Sequence, residues 1–135
     1  AGPQSGSPPL APAACRTRLE ADLPARFASR HALHVPCAVR NVGSARLMSA
    51  GSHPTRLAYR WFDRAGNVVL DGLRVDLPRP LRPGGSARVT LPLLTPWDEG
   101  DYELRVAPVQ EHVHWFDDLD PDNGIRQPAR VRHPE

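Results

Sequence analysis

Prolines are spread through the whole of this chain: sixteen of its 135 residues are proline. A proline inside a helix removes a backbone hydrogen bond and clashes with the preceding turn, so few stretches here can form a long helix. Between the prolines, apolar and polar residues alternate. Leu33, Val35, Cys37 and Val39, for example, fall on one face of their stretch. Because a period of two is the signature of a half-buried strand, the chain is predicted to be all-β.

About seven short strands are predicted at roughly ten-residue spacing, which is typical of a two-sheet antiparallel sandwich. They fall at residues 16–23, 32–43, 55–63, 68–77, 86–94, 101–109 and 112–116. Two aromatic residues favour an immunoglobulin-like sandwich. Trp61 lies on the third strand, where a large buried ring fills the core, and Tyr102 follows a turn at the start of the sixth strand, the position of a tyrosine corner. We therefore expect an all-β, immunoglobulin-like antiparallel β-sandwich.

The composition changes at both ends of the chain. Residues 1–14, "AGPQSGSPPLAPAA", consist mostly of proline, glycine, serine and alanine, which is typical of a flexible linker. Residues 15–118 are expected to form the β-sandwich domain. Residues 119–135 are polar and contain several prolines, so they are predicted to form a polar C-terminal tail.

The charge of the chain is nearly balanced, with 17 basic residues, all of them arginine, against 15 acidic residues and a net charge of +2. That balance creates no broad basic field, so neither nucleic acid nor an anionic lipid surface is predicted as a partner. No apolar run approaches the roughly 18–20 residues that span a bilayer, so no membrane insertion is predicted. The two cysteines, Cys15 and Cys37, are interpreted as reduced thiols, and a single Cys15–Cys37 bridge is the alternative for an exported protein.

Two polar motifs near the C-terminus could bind a metal ion. His112 and His114 stand two residues apart on a predicted strand and would point to one face, as zinc ligands can. Fixed positive charge from Arg60 and Arg105 on that face disfavours a dication. Asp118, Asp120 and Asp122 alternate as in a calcium loop, but the following glycine is one position late and no helices flank the segment. We interpret it as a solvated acidic turn and predict no metal and no other cofactor.

Catalytic motifs are missing from the sequence. No Gly-x-Ser-x-Gly elbow is present, and Cys37 is predicted to face the core, where a thiol is inert. The carboxylate pairs Asp98–Glu99 and Asp117–Asp118 fall in turns, with no apolar pocket to separate their pKa values. The chain is therefore predicted not to be an enzyme.

Two segments carry a resemblance to a known kind of domain: "PTRLAYRWFDRAGNVV" and "EGDYELRVAPVQEHVHWF". Together with "VRNVGSARL" they resemble a bacterial β-sandwich module that is appended to polysaccharide-handling proteins. The module is similar to the C-terminal carbohydrate-binding domain on the ATP-binding subunit of O-antigen ABC transporters. The similarity covers about residues 30 to 116. Such modules usually carry a tryptophan shortly after "NVGS", where this chain has Leu47 and Met48.

The third, sixth and seventh predicted strands would share one sheet in an immunoglobulin-like topology. The outward side chains of that sheet would combine planar hydrogen-bonding groups with aromatic rings, a combination that suits a glycan. The predicted ligand-binding residues are Arg60, Phe62, Arg105, His112, His114 and Phe116. The alternative is that this face docks on a neighbouring protein domain or on a second copy in a homodimer. Trp97, in the turn before Asp98, is a further candidate for a contact if its ring is exposed.

The resemblance implies a non-catalytic accessory module that recognises a bacterial polysaccharide for an associated enzyme or transporter. The alternative hypothesis is a structural module for protein–protein interaction or dimerisation that binds no glycan. Because related modules are attached to cytoplasmic enzymes and transporters, the resemblance also implies a cytoplasmic location, with export as the alternative.

Overall fold

The computed structural model describes residues 8 to 134 and shows ten strands and one short helix in that range. The strands are β1 (Thr17–Ala21), β2 (Arg26–Ala28), β3 (Ala32–Asn41), β4 (Thr55–Phe62), β5 (Val68–Asp71), β6 (Val75–Asp76), β7 (Ser86–Leu94), β8 (Gly100–Gln110), β9 (His114–Trp115) and β10 (Ile125–Arg132). The helix is α1 (Phe116–Leu119), and two single 3-10 turns lie at Pro12–Ala14 and Pro121–Asn123. No helix in the described range is long and apolar enough to cross a membrane.

The strands form two sheets that face each other. The smaller sheet has the order β1-β3-β7, and the larger has the order β2-β10-β8-β4-β5, with β6 paired to β4 and β9 paired to β8. All pairs are antiparallel except β2 with β10. The prediction of an all-β sandwich is therefore confirmed. Leu33, Val35, Cys37 and Val39 turn one face of β3 towards the core, as the alternation predicts, and Leu33 is the least buried of the four.

Trp61 lies at the centre of the core and is fully buried. Its ring meets the rings of Phe27 and Tyr102 edge-on, with centroid distances of 5.1 and 6.0 Å. Its indole Nε1 donates to the carbonyl of Leu94 on β7 at 2.9 Å, and the backbone N–H of Leu94 donates to the Tyr59 hydroxyl at 2.8 Å. Two aromatic side chains of β4 therefore tie the larger sheet to the last residue of β7.

The tyrosine corner is also present. The Tyr102 hydroxyl donates to the carbonyl of Asp98, four residues earlier, at 2.7 Å, which fixes the turn that leads into β8. The predicted fourth strand is divided into β5 and β6 by a break at Gly72. A Cβ at that position would collide with the ring of Tyr59, so the close approach of backbone and ring requires glycine.

The C-terminal segment corrects the predicted polar tail at residues 119–135. Residues Ile125–Arg132 form β10, which lies inside the larger sheet between β2 and β8. Ala129 and Val131 are buried, whereas Arg126, Arg130 and Arg132 alternate with the inward positions and point outward. The strand pattern is present in "IRQPARVR", but the arginines and Pro128, a residue seldom found within a sheet, hide it.

The predicted linker at residues 1–14 needs a similar correction. Residues 1–7 lie outside the described range, but the part that follows is attached to the sandwich. Leu10 packs against the core, and its N–H donates to the buried Gln110 side chain at 2.9 Å. Residues Pro12–Ala14 form a 3-10 turn that leads Cys15 into the core. The sandwich therefore includes chain on both sides of the predicted boundaries.

Replacing Trp61 with alanine is expected to destabilise the fold by about 3–5 kcal/mol, the usual cost of removing a large buried aromatic side chain. Chemical denaturation measures this difference. Tyr102→Phe is the milder comparison, because it removes one hydrogen bond of about 1 kcal/mol and leaves the packing intact. A near-neutral Trp61→Ala variant would contradict the position of this residue in the core.

Candidate functional site

The outer face of the larger sheet contains several of the predicted ligand-binding residues. In the β4–β8 register, Arg60 stands opposite Arg105 and Phe62 stands opposite Glu103. Residues directly opposite each other on neighbouring strands project to the same side of a sheet. The prediction that Arg60 and Arg105 share an outer face is therefore confirmed.

Arginine and aromatic side chains alternate along this face in a continuous stack. The Arg105 guanidinium lies 3.8 Å from the Phe62 ring centroid, and the Arg60 guanidinium lies 5.2 Å from the same ring. The Arg60 guanidinium also lies 3.9 Å from the Trp115 ring centroid. The Arg74 guanidinium lies 4.9 Å from the same ring. These distances are typical of cation–π interactions. We call the set Arg105, Phe62, Arg60, Trp115 and Arg74 the arginine–aromatic ladder.

Arg60 is the most buried cation of the ladder, with 9% of its side chain exposed. Its Nη2 donates to Asp117 at 2.8 Å and to Asp118 at 3.1 Å, so α1 brings two carboxylates onto one guanidinium. Asp117 is fully buried. Burial raises the pKa of Asp117, and the positive charge of Arg60 opposes that rise. The Arg60 guanidinium is therefore already paired with the carboxylates of Asp117 and Asp118.

The outer arginines of the ladder are also paired. Arg105 donates to Glu103, and Arg74 bonds Asp71 at 2.7 Å and Glu111 at 3.1 Å. Because every cation of the ladder has a carboxylate partner and each ring is covered by guanidinium groups, the ladder has little free capacity for a ligand. These ion pairs and ring contacts hold the segment after β9 against β4, and we refer to this arrangement as the brace.

The ladder and the carboxylates paired with it include residues that were not predicted to bind a ligand: Trp115, Arg74, Asp117 and Asp118. The apolar–polar alternation over residues 112–116 predicts that Val113 and Trp115 face the core and that His112, His114 and Phe116 face outward. The structure shows the opposite arrangement at the end of the segment. Phe116 is fully buried in the core, whereas Trp115 lies on the outer face. The predicted role of Phe116 as a ligand-binding residue is therefore wrong.

A turn explains the reversal. After β8 the chain turns at residues 111–113, where the N–H of Val113 donates to the carbonyl of Gln110 at 3.0 Å. His112 occupies this turn with a φ of 65°, a left-handed conformation unusual for a residue other than glycine. β9 is only two residues long and α1 follows at once. The alternation that the sequence suggests from His112 to Phe116 is therefore broken on both sides of β9.

His112 and His114 are not placed as a pair. His112 is exposed in the turn, whereas His114 is partly buried and lies with its Nε2 3.2 Å from the Cys15 thiol. Burial raises the pKa of Cys15 to about 11, and burial also lowers the pKa of His114. Both shifts favour the uncharged forms, so the contact is a neutral thiol–imidazole pair and lacks the thiolate that a nucleophile needs.

The aspartates after Phe116 hold local structure. Asp118 pairs with Arg60, and the Asp120 side chain caps the next turn by accepting from the N–H of Asp122 at 2.9 Å. Buried Asn123 donates to the carbonyls of Cys15 and Phe116. Within residues 8–134, no group of three or more histidine, cysteine, aspartate or glutamate side chains could hold a metal ion. Cys15 and Cys37 are both free and buried, so the alternative of a bridge between them is not realised.

Trp97 presents the most exposed aromatic ring at one end of the sandwich. It lies between β7 and β8 and is 68% exposed. The Arg30 guanidinium lies 4.4 Å from its ring centroid. The Arg30 N–H donates to the carbonyl of Pro96 at 3.0 Å, and Thr95 bonds the β2–β3 turn through its backbone and hydroxyl. These bonds attach the two residues before Trp97 to the β2–β3 turn, and Arg30 contacts the Trp97 ring, much of whose surface is exposed.

No protein-family model matches the sequence, and no curated protein matches it either. Among solved structures, the chain is similar to the solution NMR structure of the CARDB domain of a Pyrococcus furiosus protein, with a TM-score of 0.52, 16% identity and coverage of 85% of this chain and 93% of that one. A crystal structure of the same domain in complex with di-metal ions gives a TM-score of 0.50, 16% identity and coverage of 88% and 93%.

A second kind of protein shares the fold. A β-glucosidase from Listeria innocua, in complex with laminaribiose, gives a TM-score of 0.51 at 13% identity over 87% of this chain. The match spans 16% of the β-glucosidase chain. At these identities the likeness shows the fold alone. The chain has the fold of an immunoglobulin-like β-sandwich.

Arg60→Ala is expected to destabilise the protein by about 3–5 kcal/mol, because it leaves the buried Asp117 carboxylate with Arg126, at 3.7 Å, as its remaining opposite charge. Thermal and chemical denaturation measure the loss.

Arg105→Ala is the matched control, since Arg105 belongs to the same ladder but pairs with a carboxylate that is 42% exposed. Its removal should cost no more than about 1 kcal/mol. Equal losses for the two variants would show that Arg60 has no special role in the brace.

Proposed function

We propose that this chain is a non-catalytic accessory module that recognises a bacterial polysaccharide for an associated enzyme or transporter. The observation that carries the proposal is the exposed ring of Trp97, held in place at the end of the sandwich. An aromatic ring offers an apolar plane against which a sugar ring can stack, and the neighbouring Arg30 supplies hydrogen-bond donors for hydroxyl groups. The binding site that we propose is therefore in the β7–β8 turn and not at the ladder, where the sequence predicted it.

Several further observations support an accessory role. The sequence resembles the carbohydrate-binding domain of O-antigen transporters, and a structurally similar segment makes up 16% of a β-glucosidase chain. The Cys15–His114 pair is neutral and the carboxylates of the ladder are held by arginines, so neither provides an activated catalytic group. The two reduced, buried thiols fit a cytoplasmic location, where disulfides are rare.

The alternative function is a protein–protein interaction or dimerisation module. The specific observation in its favour is β5, an edge strand of the larger sheet on which Val68 and Val69 are 48% and 46% exposed. An exposed apolar edge strand can pair with a strand of another chain. Under this alternative the chain would form a dimer through β5 and would bind no glycan.

Trp97→Ala is expected to weaken glycan binding about tenfold or more, because the stacking surface is lost. A bacterial glycan array identifies ligands of the wild-type chain, and titration calorimetry compares the variants on the strongest one. The stability of Trp97→Ala should stay within about 0.5 kcal/mol of wild type, as expected for an exposed position.

Leu119→Ala is the matched control, since Leu119 is also an exposed apolar residue but lies in α1 and not in the β7–β8 turn. It should bind glycan as the wild type does. An array without any bound glycan, combined with a dimer that Val69→Lys converts to a monomer in light scattering, would overturn the proposal and support the alternative.

A further inference from the structure

The ion pairs of this protein lie on one side of the sandwich. All eleven pairs found among residues 8–134 involve the larger sheet, the turns that join its strands, or the β9–α1 segment. None of them includes a residue of β1, β3 or β7. The arginines of the smaller sheet therefore lack the carboxylate partners that the arginines of β4, β8 and β10 have.

Three of these arginines meet on the outer face of the smaller sheet. Arg18 on β1 stands directly opposite Arg40 on β3, and Arg88 on β7 stands opposite Ala38, one outward position along β3 from Arg40. Directly opposite side chains have Cβ atoms about 5 Å apart, and diagonal neighbours about 7–8 Å apart. All three arginines are exposed. We call Arg18, Arg40 and Arg88 the basic face.

Like charges that stand directly opposite each other on neighbouring strands repel and destabilise a sheet. The Arg18 guanidinium donates to two backbone carbonyls, those of Thr17 and Asp122, which leaves its charge unneutralised. Arg40 and Arg88 have no ion-pair partner in the part of the chain that the structure describes. A bound anion would bridge these guanidinium groups and relieve their repulsion.

The surroundings of the basic face indicate what kind of anion fits. Arg18 and Arg40 border one open depression together with the small residues Ala38 and Ser86. Arg88 borders a second depression that also includes Ala38, and Glu20 and Asp22 lie along it. Ser86 and Thr90 add exposed hydroxyl groups along β7. Glu20, opposite Ala38, is the one carboxylate on the three strands.

We infer that the basic face binds the anionic groups of an acidic polysaccharide. This inference rests on the proposed function and names the class of glycan. Arginine forks bond carboxylate and phosphate oxygens in pairs, and the hydroxyls between the arginines match the uncharged parts of a sugar chain. The two depressions beside the arginines are lined by no aromatic ring on which a nucleic-acid base could stack. Val42 is the one large hydrophobic residue among their lining residues that is exposed, which is too little apolar surface to enter a lipid bilayer.

The test uses oligogalacturonate, whose carboxylates are spaced along a sugar chain, and its methyl-esterified form, which has the same chain without the charges. The wild-type protein should bind the acidic form at least about tenfold more tightly at low salt, and the preference should disappear near 0.5 M salt because the groups are exposed. The double variant Arg40→Gln/Arg88→Gln should lose this preference. Glu20→Gln should strengthen binding of the acidic form.

Arg64→Gln/Arg130→Gln is the charge-matched control, since both residues are exposed arginines on the larger-sheet side, and it should keep the preference. Equal binding of the two oligosaccharides that depends on Trp97 would overturn the inference and leave the proposed function standing. Failure to bind any glycan would overturn both. Stronger binding to phosphatidylglycerol vesicles or single-stranded DNA than to oligogalacturonate would overturn the inference in favour of that partner.

Discussion

The position of the segment from β9 to β10 depends on one buried contact, the ion pair of Arg60 and Asp117. Arg60 is on β4, an inner strand of the larger sheet, and Asp117 is the second residue of α1. Removing one partner of such a pair leaves an uncompensated buried charge, so the two residues hold each other in place. Because this pair holds α1 in place, the Trp115 ring stacks on Arg60 and Phe116 lies in the core. The chain then continues through the turn at Pro121–Asn123 into β10.

This contact gives the two outer faces of the sandwich different chemistry. On the larger sheet, the arginines of β4 and β8 and the neighbouring Arg74 are paired with carboxylates from β5, β6, β8 and α1. The smaller sheet has three arginines opposite or diagonal to one another and one glutamate. A ligand would have to displace internal contacts on the first face, whereas it would supply missing ones on the second. The surfaces proposed for binding, Trp97 and the basic face, both lie outside the ladder.

Much of the fold was predictable because the strands alternate strictly and the two marker aromatics, Trp61 and Tyr102, occupy their expected places. The candidate site was predictable only in part. The β4–β8 register places Arg60 beside Arg105, but a turn at His112 shifts the following residues, and such a shift exchanges inward and outward side chains. β10 was missed because Pro128 and its arginines conceal the apolar alternation. The partners of Arg60 come from a helix of one turn, which is too short to produce a periodic pattern.

A double-mutant cycle between Arg60 and Asp117 measures the brace most directly. The variants Arg60→Met, Asp117→Asn and their combination are compared with wild type by chemical denaturation. We predict that the two substitutions are coupled by at least about 1 kcal/mol, with the double variant less destabilised than the sum of the single variants, as expected for residues in direct contact. Losses that add to within about 0.3 kcal/mol would show that the two residues act independently and would contradict the account.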